Sequence, residues 1–232
     1  MAAIREEVLA GANTVAERAA AIVAEAAREA VAARGRFVFA VSGGRTPATM
    51  LRALAAEDVP WEGVRVVQVD ERVAPEGHAD RNLGLLRSSL LEHAPVQADQ
   101  VYPMPVEEAD LDAAASDYAR LLTGLAGAPP EIDLVHLGLG ADGHTASLVP
   151  GDAALAVKDA DVAVTGPYQG RRRMTLTFPA LDRARRVLWL VTGAEKAEVL
   201  EKLRRGDASI PAARVRRERA LLLADAAAAG EA

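Results

Sequence analysis

Asp142, Gly143 and His144 follow an apolar run, Ile132 to Leu137, that breaks off in glycines. An imidazole is the side chain best suited to take up and return a proton near neutral pH, and an acid two residues away can orient it or stabilise its charged form. His144 and Asp142 are therefore the candidate catalytic pair. Three more polar clusters follow apolar runs in the same way. Ser42-Gly43-Gly44-Arg45-Thr46-Pro47 comes after Phe37–Val41, and Asp70-Glu71-Arg72 after Val64–Val69. Thr192-Gly193, with Lys196 close behind, comes after Arg186–Val191.

These clusters need elements to position them. The runs Phe37–Val41, Val64–Val69, Ile132–Leu137, Arg186–Val191 and Leu221–Leu223 have the length and apolar content of buried strands. Helical periodicity is expected over 3–34, from Met50 through Leu54, over Leu83–Leu91 and over 109–123. Val101-Tyr102, Val162–Val164 and Met174–Thr177 read as short strands, Pro179–Asp182 as a helical turn, and residues from Ala224 on as a frayed tail. Strands alternating with helices predict an α/β fold, a Rossmann-like, largely parallel sheet flanked by helices, in one domain spanning 1–232. In such a sheet the strand carboxyl ends share one edge, where ligands bind, so all four clusters are expected together.

The loop of residues 42–46 admits two readings. Gly43 and Gly44 serve only a tight turn, or they let backbone N–H groups and a helix N-terminus converge on an anion. Thr46 is the expected N-cap and Pro47 the first helical residue. Lys196 is expected in the first turn of a helix, where the dipole disfavours a cation unless an anion binds. Gly138-Leu139-Gly140-Ala141-Asp142-Gly143 matches a dinucleotide fingerprint literally, but Pro150-Gly151 leaves no room for the long helix that must follow, so that reading is rejected.

Composition removes other classes. The net charge of −6 argues against a sequence-independent nucleic-acid binder. The absence of cysteine excludes disulfides, thiolate catalysis and Cys-ligated zinc. His78 near Asp80 has no metal-ligand spacing. The charged amino-terminal stretch lacks the apolar core of a signal peptide, and no apolar run reaches the roughly 20 residues of a membrane span. A soluble cytoplasmic protein is expected, with neither nucleic-acid nor membrane partners, as a monomer or weak dimer.

Several motifs stand in one order along nearly the whole chain. They are Ser42-Gly43-Gly44-x-Thr46-Pro47, Asp70-Glu71-Arg72 with Asn82, and Gly138-x-Gly140-x-Asp142-Gly143-His144-Thr145-Ala146-Ser147-Leu148-x-Pro150-Gly151. Leu176-Thr177 with Ala184-Arg185, and Thr192-Gly193-x-x-Lys196, complete the set. Together they resemble the glucosamine-6-phosphate isomerase/6-phosphogluconolactonase family, on its lactonase side. The departures are Val149, where the family commonly has Phe, and Leu221–Leu223, where it often has an aromatic.

The resemblance implies the glucosamine-6-phosphate deaminase/ribose-5-phosphate isomerase type of fold. It implies hydrolysis of 6-phospho-D-glucono-1,5-lactone to 6-phosphogluconate in the oxidative pentose phosphate pathway, with no cofactor or metal. On that reading His144 is the base for a water attacking C1 and Asp142 supports the ring. Arg173 and Lys196 hold the phosphate, and Ser42, Gly43, Gly44, Thr46, Asp70 and Arg72 complete a polar cradle. Two other functions compete. The deaminases of the fold carry tyrosine where Arg72 stands and an acid where Val149 stands, which weakens that reading. Sugar-phosphate sensors share the fold but usually carry a helix-turn-helix, whereas a first strand at residue 37 leaves room for one helix.

Overall fold

Each central strand carries apolar residues on both of its faces and must be covered on both. In the computed structural model, which describes residues 4–231, this is met by one parallel sheet between two layers. Seven strands build the sheet: β1 (Arg5–Leu9), β2 (Phe37–Val41), β3 (Val64–Gln68), β5 (Val101–Tyr102), β6 (Leu134–Gly138), β9 (Val187–Val191) and β10 (Ala220–Asp225). Their order is β1-β10-β9-β6-β2-β3-β5, and every recorded pairing is parallel. Three shorter strands, β4 (Asp70–Arg72), β7 (Val162–Val164) and β8 (Arg173–Leu176), form a second, antiparallel sheet in the order β4-β8-β7.

Alternation along β2 shows how the layers divide. Phe37, Phe39 and Val41 face one side, packing with α1 (Ala12–Arg34), α2 (Arg45–Ala55) and α3 (Asn82–Leu86). Val38 and Ala40 face the other side. There α4 (Leu111–Ala126), α5 (Phe178–Arg183), α6 (Ala197–Arg205) and the second sheet bury Tyr118, Leu181, Leu200 and Met174. A last turn, α7 (Ala226–Ala229), is capped by the Asp225 carboxylate. None of the helices is long and apolar enough to cross a membrane among the described residues.

The strand order reverses between β2 and β6. From β2 the chain moves outward through β3 and β5, and from β6 it moves the other way through β9 and β10. A crevice opens at such a reversal, outside the strand carboxyl ends. The four strands around it, β9, β6, β2 and β3, are those followed by the four polar clusters.

Several sequence expectations are corrected. The helix expected over 3–34 is two elements, and residue 3 lies outside the described residues. Arg5–Leu9 pairs with β10 as the edge strand, and the helix begins only at Ala12. Gly11, with φ −172°, is extended and breaks the two apart, while its N–H donates to Thr14 Oγ1 and its carbonyl accepts from that hydroxyl. Asp70–Arg72 is itself a strand rather than a strand end. The helix at Asn82 turns π-helical over Arg87–Leu91. Gly44, not Thr46, is the N-cap of α2, in a left-handed conformation at φ 129° that favours glycine. Lys196 closes a 3₁₀ turn and N-caps α6. The expected frayed tail is the end of β10 and then α7, with Ala232 outside the described residues.

Candidate active site

A cleft of about 230 Å³ lies at the reversal point. It is lined by Ser42 and Gly43 after β2, Asp70 and Arg72 of β4, Gly140 and His144 after β6, Arg173 of β8, and Lys196 after β9. Eight of the ten residues expected from the sequence thus bear on one place. Seven of them line the cleft, and Asp142 stands directly behind His144. The other two, Gly44 and Thr46, do not line it. The Thr46 hydroxyl instead pairs with that of Thr192 at 2.7 Å, tying the β2 loop to the β9 loop.

The His144 ring is fixed from behind. Its Nδ1 lies 2.6 Å from Asp142 Oδ1, which also accepts the His144 backbone N–H at 3.2 Å. The second carboxylate oxygen accepts the Tyr168 hydroxyl at 2.9 Å. Partial burial of Asp142 pushes its carboxyl up, but the bonds from His144 and Tyr168 outweigh that and hold it below the usual range. With Nδ1 engaged, Nε2 is the ring nitrogen left for a ligand. A Cβ at residue 140 would sit 2.0 Å from Nδ1, so only glycine lets the ring rest there. No long helix follows this loop, as expected; Thr145 and Leu148 form an isolated bridge instead.

The opposite wall takes two of the three charged residues of β4, Asp70 and Arg72. Strand alternation sends Asp70 and Arg72 one way and Glu71 the other. Asp70 accepts the Ser147 hydroxyl at 2.6 Å, and the Asn82 amide donates to the Asp70 carbonyl at 3.0 Å. Glu71 is fully buried and accepts the backbone N–H groups of Arg72, Asn82 and Leu83 and the Gln68 amide, at 2.7 to 2.9 Å. Arg81 Nε adds an ion pair at 3.2 Å. Glu71 therefore holds the loop carrying Asn82, and Asn82 in turn occupies the space a side chain at Gly43 would need.

Arg72 and Arg173 are cross-strand partners in the β4–β8 ladder. Burial lowers the Arg173 pKa first, and the neighbouring Arg72 lowers it further. Both Nε atoms are buried without a partner. Like charges directly opposite one another destabilise a sheet, so this arrangement suits an anion between them.

His136, which sequence reasoning passed over, lies under the floor. It is fully buried on β6; its Nδ1 accepts the Ser42 N–H at 3.4 Å and its carbonyl accepts the Ser42 hydroxyl at 2.8 Å. Burial pushes its pKa down to about 3. Ser42 thus spends its hydroxyl on the floor, and its loop is moored to the strand that leads into the His144 loop. Tyr168 was also missed, because nothing around it in sequence marks a site. No group of three or more His, Cys, Asp or Glu suited to a metal occurs among the described residues.

The model of the family described as glucosamine-6-phosphate isomerases/6-phosphogluconolactonase matches residues 10–223. A 6-phosphogluconolactonase of Synechocystis sp. is 38% identical over 201 residues, covering 85% of this chain and 83% of its own. The solved 6-phosphogluconolactonase from Trypanosoma brucei superposes with a TM-score of 0.86 at 27% identity, covering 98% of each chain. A monomeric glucosamine-6-phosphate deaminase superposes with a TM-score of 0.87, covering 99% of this chain and 100% of its own. At 19% identity it speaks for the fold alone. The chain belongs to the glucosamine-6-phosphate isomerase/6-phosphogluconolactonase family.

Proposed function

We propose that the protein hydrolyses 6-phospho-D-glucono-1,5-lactone to 6-phospho-D-gluconate, in the oxidative pentose phosphate pathway. The observation that carries this reading is the Asp142–His144 pair, 2.6 Å apart, facing a cleft whose other walls supply Arg72, Arg173 and Lys196. A phosphorylated lactone needs both halves of that arrangement: a base for water and positive charge for the phosphate.

Neutral His144 takes a proton from water through Nε2 as the oxygen attacks C1. Asp142 holds the ring and stabilises the imidazolium that forms. The tetrahedral oxyanion draws on the Gly43 backbone and on the neighbouring guanidinium charge. It then collapses: the bond from C1 to the ring oxygen breaks, and the imidazolium returns its proton to that oxygen. The product is the open-chain acid. Arg173 and Lys196 bind the phosphate, with Arg72 and the Ser42–Gly43 turn completing the cradle. The position where the fold's deaminases carry an acid is Val149, buried and apolar, which favours hydrolysis over ring opening and isomerisation.

The test is the loss of freshly generated 6-phosphogluconolactone with and without the protein, coupled to 6-phosphogluconate dehydrogenase. The expected result is acceleration well above spontaneous opening. A rate equal to the spontaneous one would remove the reading.

A further inference from the structure

The hairpin that joins β7 to β8 is not needed to complete either sheet, yet its tip reaches the candidate active site. Tyr168 and Arg171 form an isolated antiparallel bridge with reciprocal backbone bonds of 2.8 and 3.2 Å. The two residues between them, Gln169 and Gly170, both have positive φ, 51° and 78°. Positive φ at both central residues is the signature of a type I′ turn, whose twist matches a hairpin and whose first position favours Asn, Asp or Gly. Gln169 is an unfavourable choice on backbone grounds. Its side chain supplies a reason: Oε1 accepts the Arg173 Nη2 at 3.2 Å.

Tyr168, on the arm of this turn, touches three site residues at once. Its hydroxyl donates to Asp142 Oδ2 at 2.9 Å. Its ring meets the His144 ring edge-on, with centroids 5.4 Å apart. The Arg173 guanidinium lies over its face, 4.9 Å from the centroid. One side chain therefore joins the base, the carboxylate behind it and a cation of the opposite wall.

We propose that Tyr168 is a positioning residue for the lactone hydrolysis, setting the Asp142–His144 pair through its hydroxyl and the Arg173 guanidinium through its ring. This rests on the lactonase reading above. A carboxylate held through one oxygen alone can swing about its Cβ–Cγ bond. With Tyr168 on Oδ2 and His144 on Oδ1, the carboxylate plane is fixed and the imidazole is aimed. The hydroxyl also draws off part of the negative charge that would otherwise bear on the imidazolium. Besides Asp142 and Tyr168, the ionisable groups lining the cleft around His144 are Asp70, Arg72, Arg173 and Lys196.

The two halves of the role separate in two variants. Tyr168→Phe keeps the ring over Arg173 and removes only the hydroxyl. Its kcat is expected to fall about tenfold with KM nearly unchanged, and the acid limb of its kcat/KM profile to move up by about half a pH unit, because Asp142 then holds its full charge against the imidazolium. Tyr168→Leu removes the ring as well, and KM is expected to rise several-fold in addition. Thermal unfolding of both variants measures any loss of fold separately. A merely structural tyrosine would lower the melting temperature and the active fraction but leave the acid limb and KM in place; that result overturns the proposal. If the unmodified protein fails to open the lactone, the lactonase reading falls first, and the Tyr168 assignment falls with it.

Discussion

Arg72 and Arg173 stand directly opposite each other across the β4–β8 ladder, with the Nε of each buried and unpartnered. The sheet carries this repulsion only in the absence of an anion. Inorganic phosphate is therefore expected to stabilise the protein, by about 1.4 kcal/mol at ten times its dissociation constant. In Arg173→Gln the repulsion is gone: the ligand-free protein should melt no lower than the parent, phosphate should stabilise it far less, and KM for the lactone should rise. A phosphate-induced shift in melting temperature of equal size in parent and variant would place the anion elsewhere.

The 2.6 Å contact between His144 and Asp142 assigns unequal losses to the pair. Removing the base in His144→Ala should cost about 10²- to 10⁴-fold in kcat. Asp142→Asn keeps a hydrogen-bonding group beside Nδ1 but loses its charge, and should cost less. In both, calorimetric binding of 6-phosphogluconate should persist, since the phosphate is assigned to neither residue. Loss of binding together with turnover would show that the pair serves structure or substrate affinity instead.

Glu71 makes the strongest stability prediction. Its buried carboxylate accepts three backbone N–H groups and an amide and pairs with Arg81. In Glu71→Gln an amide N–H must face donors, and the buried Arg81 guanidinium loses one of its two carboxylates, keeping the half-exposed Glu107. Urea denaturation should show a loss of about 3 kcal/mol or more. Activity should fall further than the folded fraction does, because the Asn82 loop that Glu71 holds abuts Gly43. A loss below 1 kcal/mol would mean that the loop finds other partners.

His136 gives the fold a pH dependence of definite sign. Its native pKa is lowered to about 3 from 6.5, so the unfolded chain takes up a proton where the native protein does not. Stability contributed by the neutral, buried ring is present in full above pH 6.5 and falls as the pH drops from there towards 3. Between pH 6.5 and pH 5 the loss from this group is about 2 kcal/mol. The urea midpoints of His136→Asn should lack that component, and equal slopes in parent and variant would contradict the burial argument.

Much of this architecture is legible in the chain, and the failures have physical causes. The central strands announce themselves because both faces are buried, leaving unbroken apolar runs such as Phe37–Val41. The polar clusters at their carboxyl ends were found because parallel strands bring such ends to one edge. β1 was lost because Ile4 and Val8 keep helical spacing with the helix that follows; as an edge strand it is half solvated and has no apolar run of its own. Gly11 was the available signal. Thr46 was misplaced by one capping rule when the glycine before Arg45 met the geometric need better. His136 was hidden inside a run read only for its hydrophobicity. Tyr168 was invisible because its role depends on a hairpin folding back across the sheet, a relationship with no local signature.

The second sheet has a consequence for how ligand enters. β4 comes from the half of the chain that runs outward from β2, and β8 from the half that begins at β6, so the β4–β8 ladder stitches together the two sides of the crevice. Domains that close on their ligands do so about a hinge running between such sides. Here that hinge is sutured, and opening it would break main-chain hydrogen bonds and separate Arg72 from Arg173. The ladder therefore argues for a mould rather than a jaw. On that footing selectivity is expected to lie in a shape cast before the sugar arrives, and the cations of the cleft, rather than the timing of a moving part, are expected to set the encounter rate.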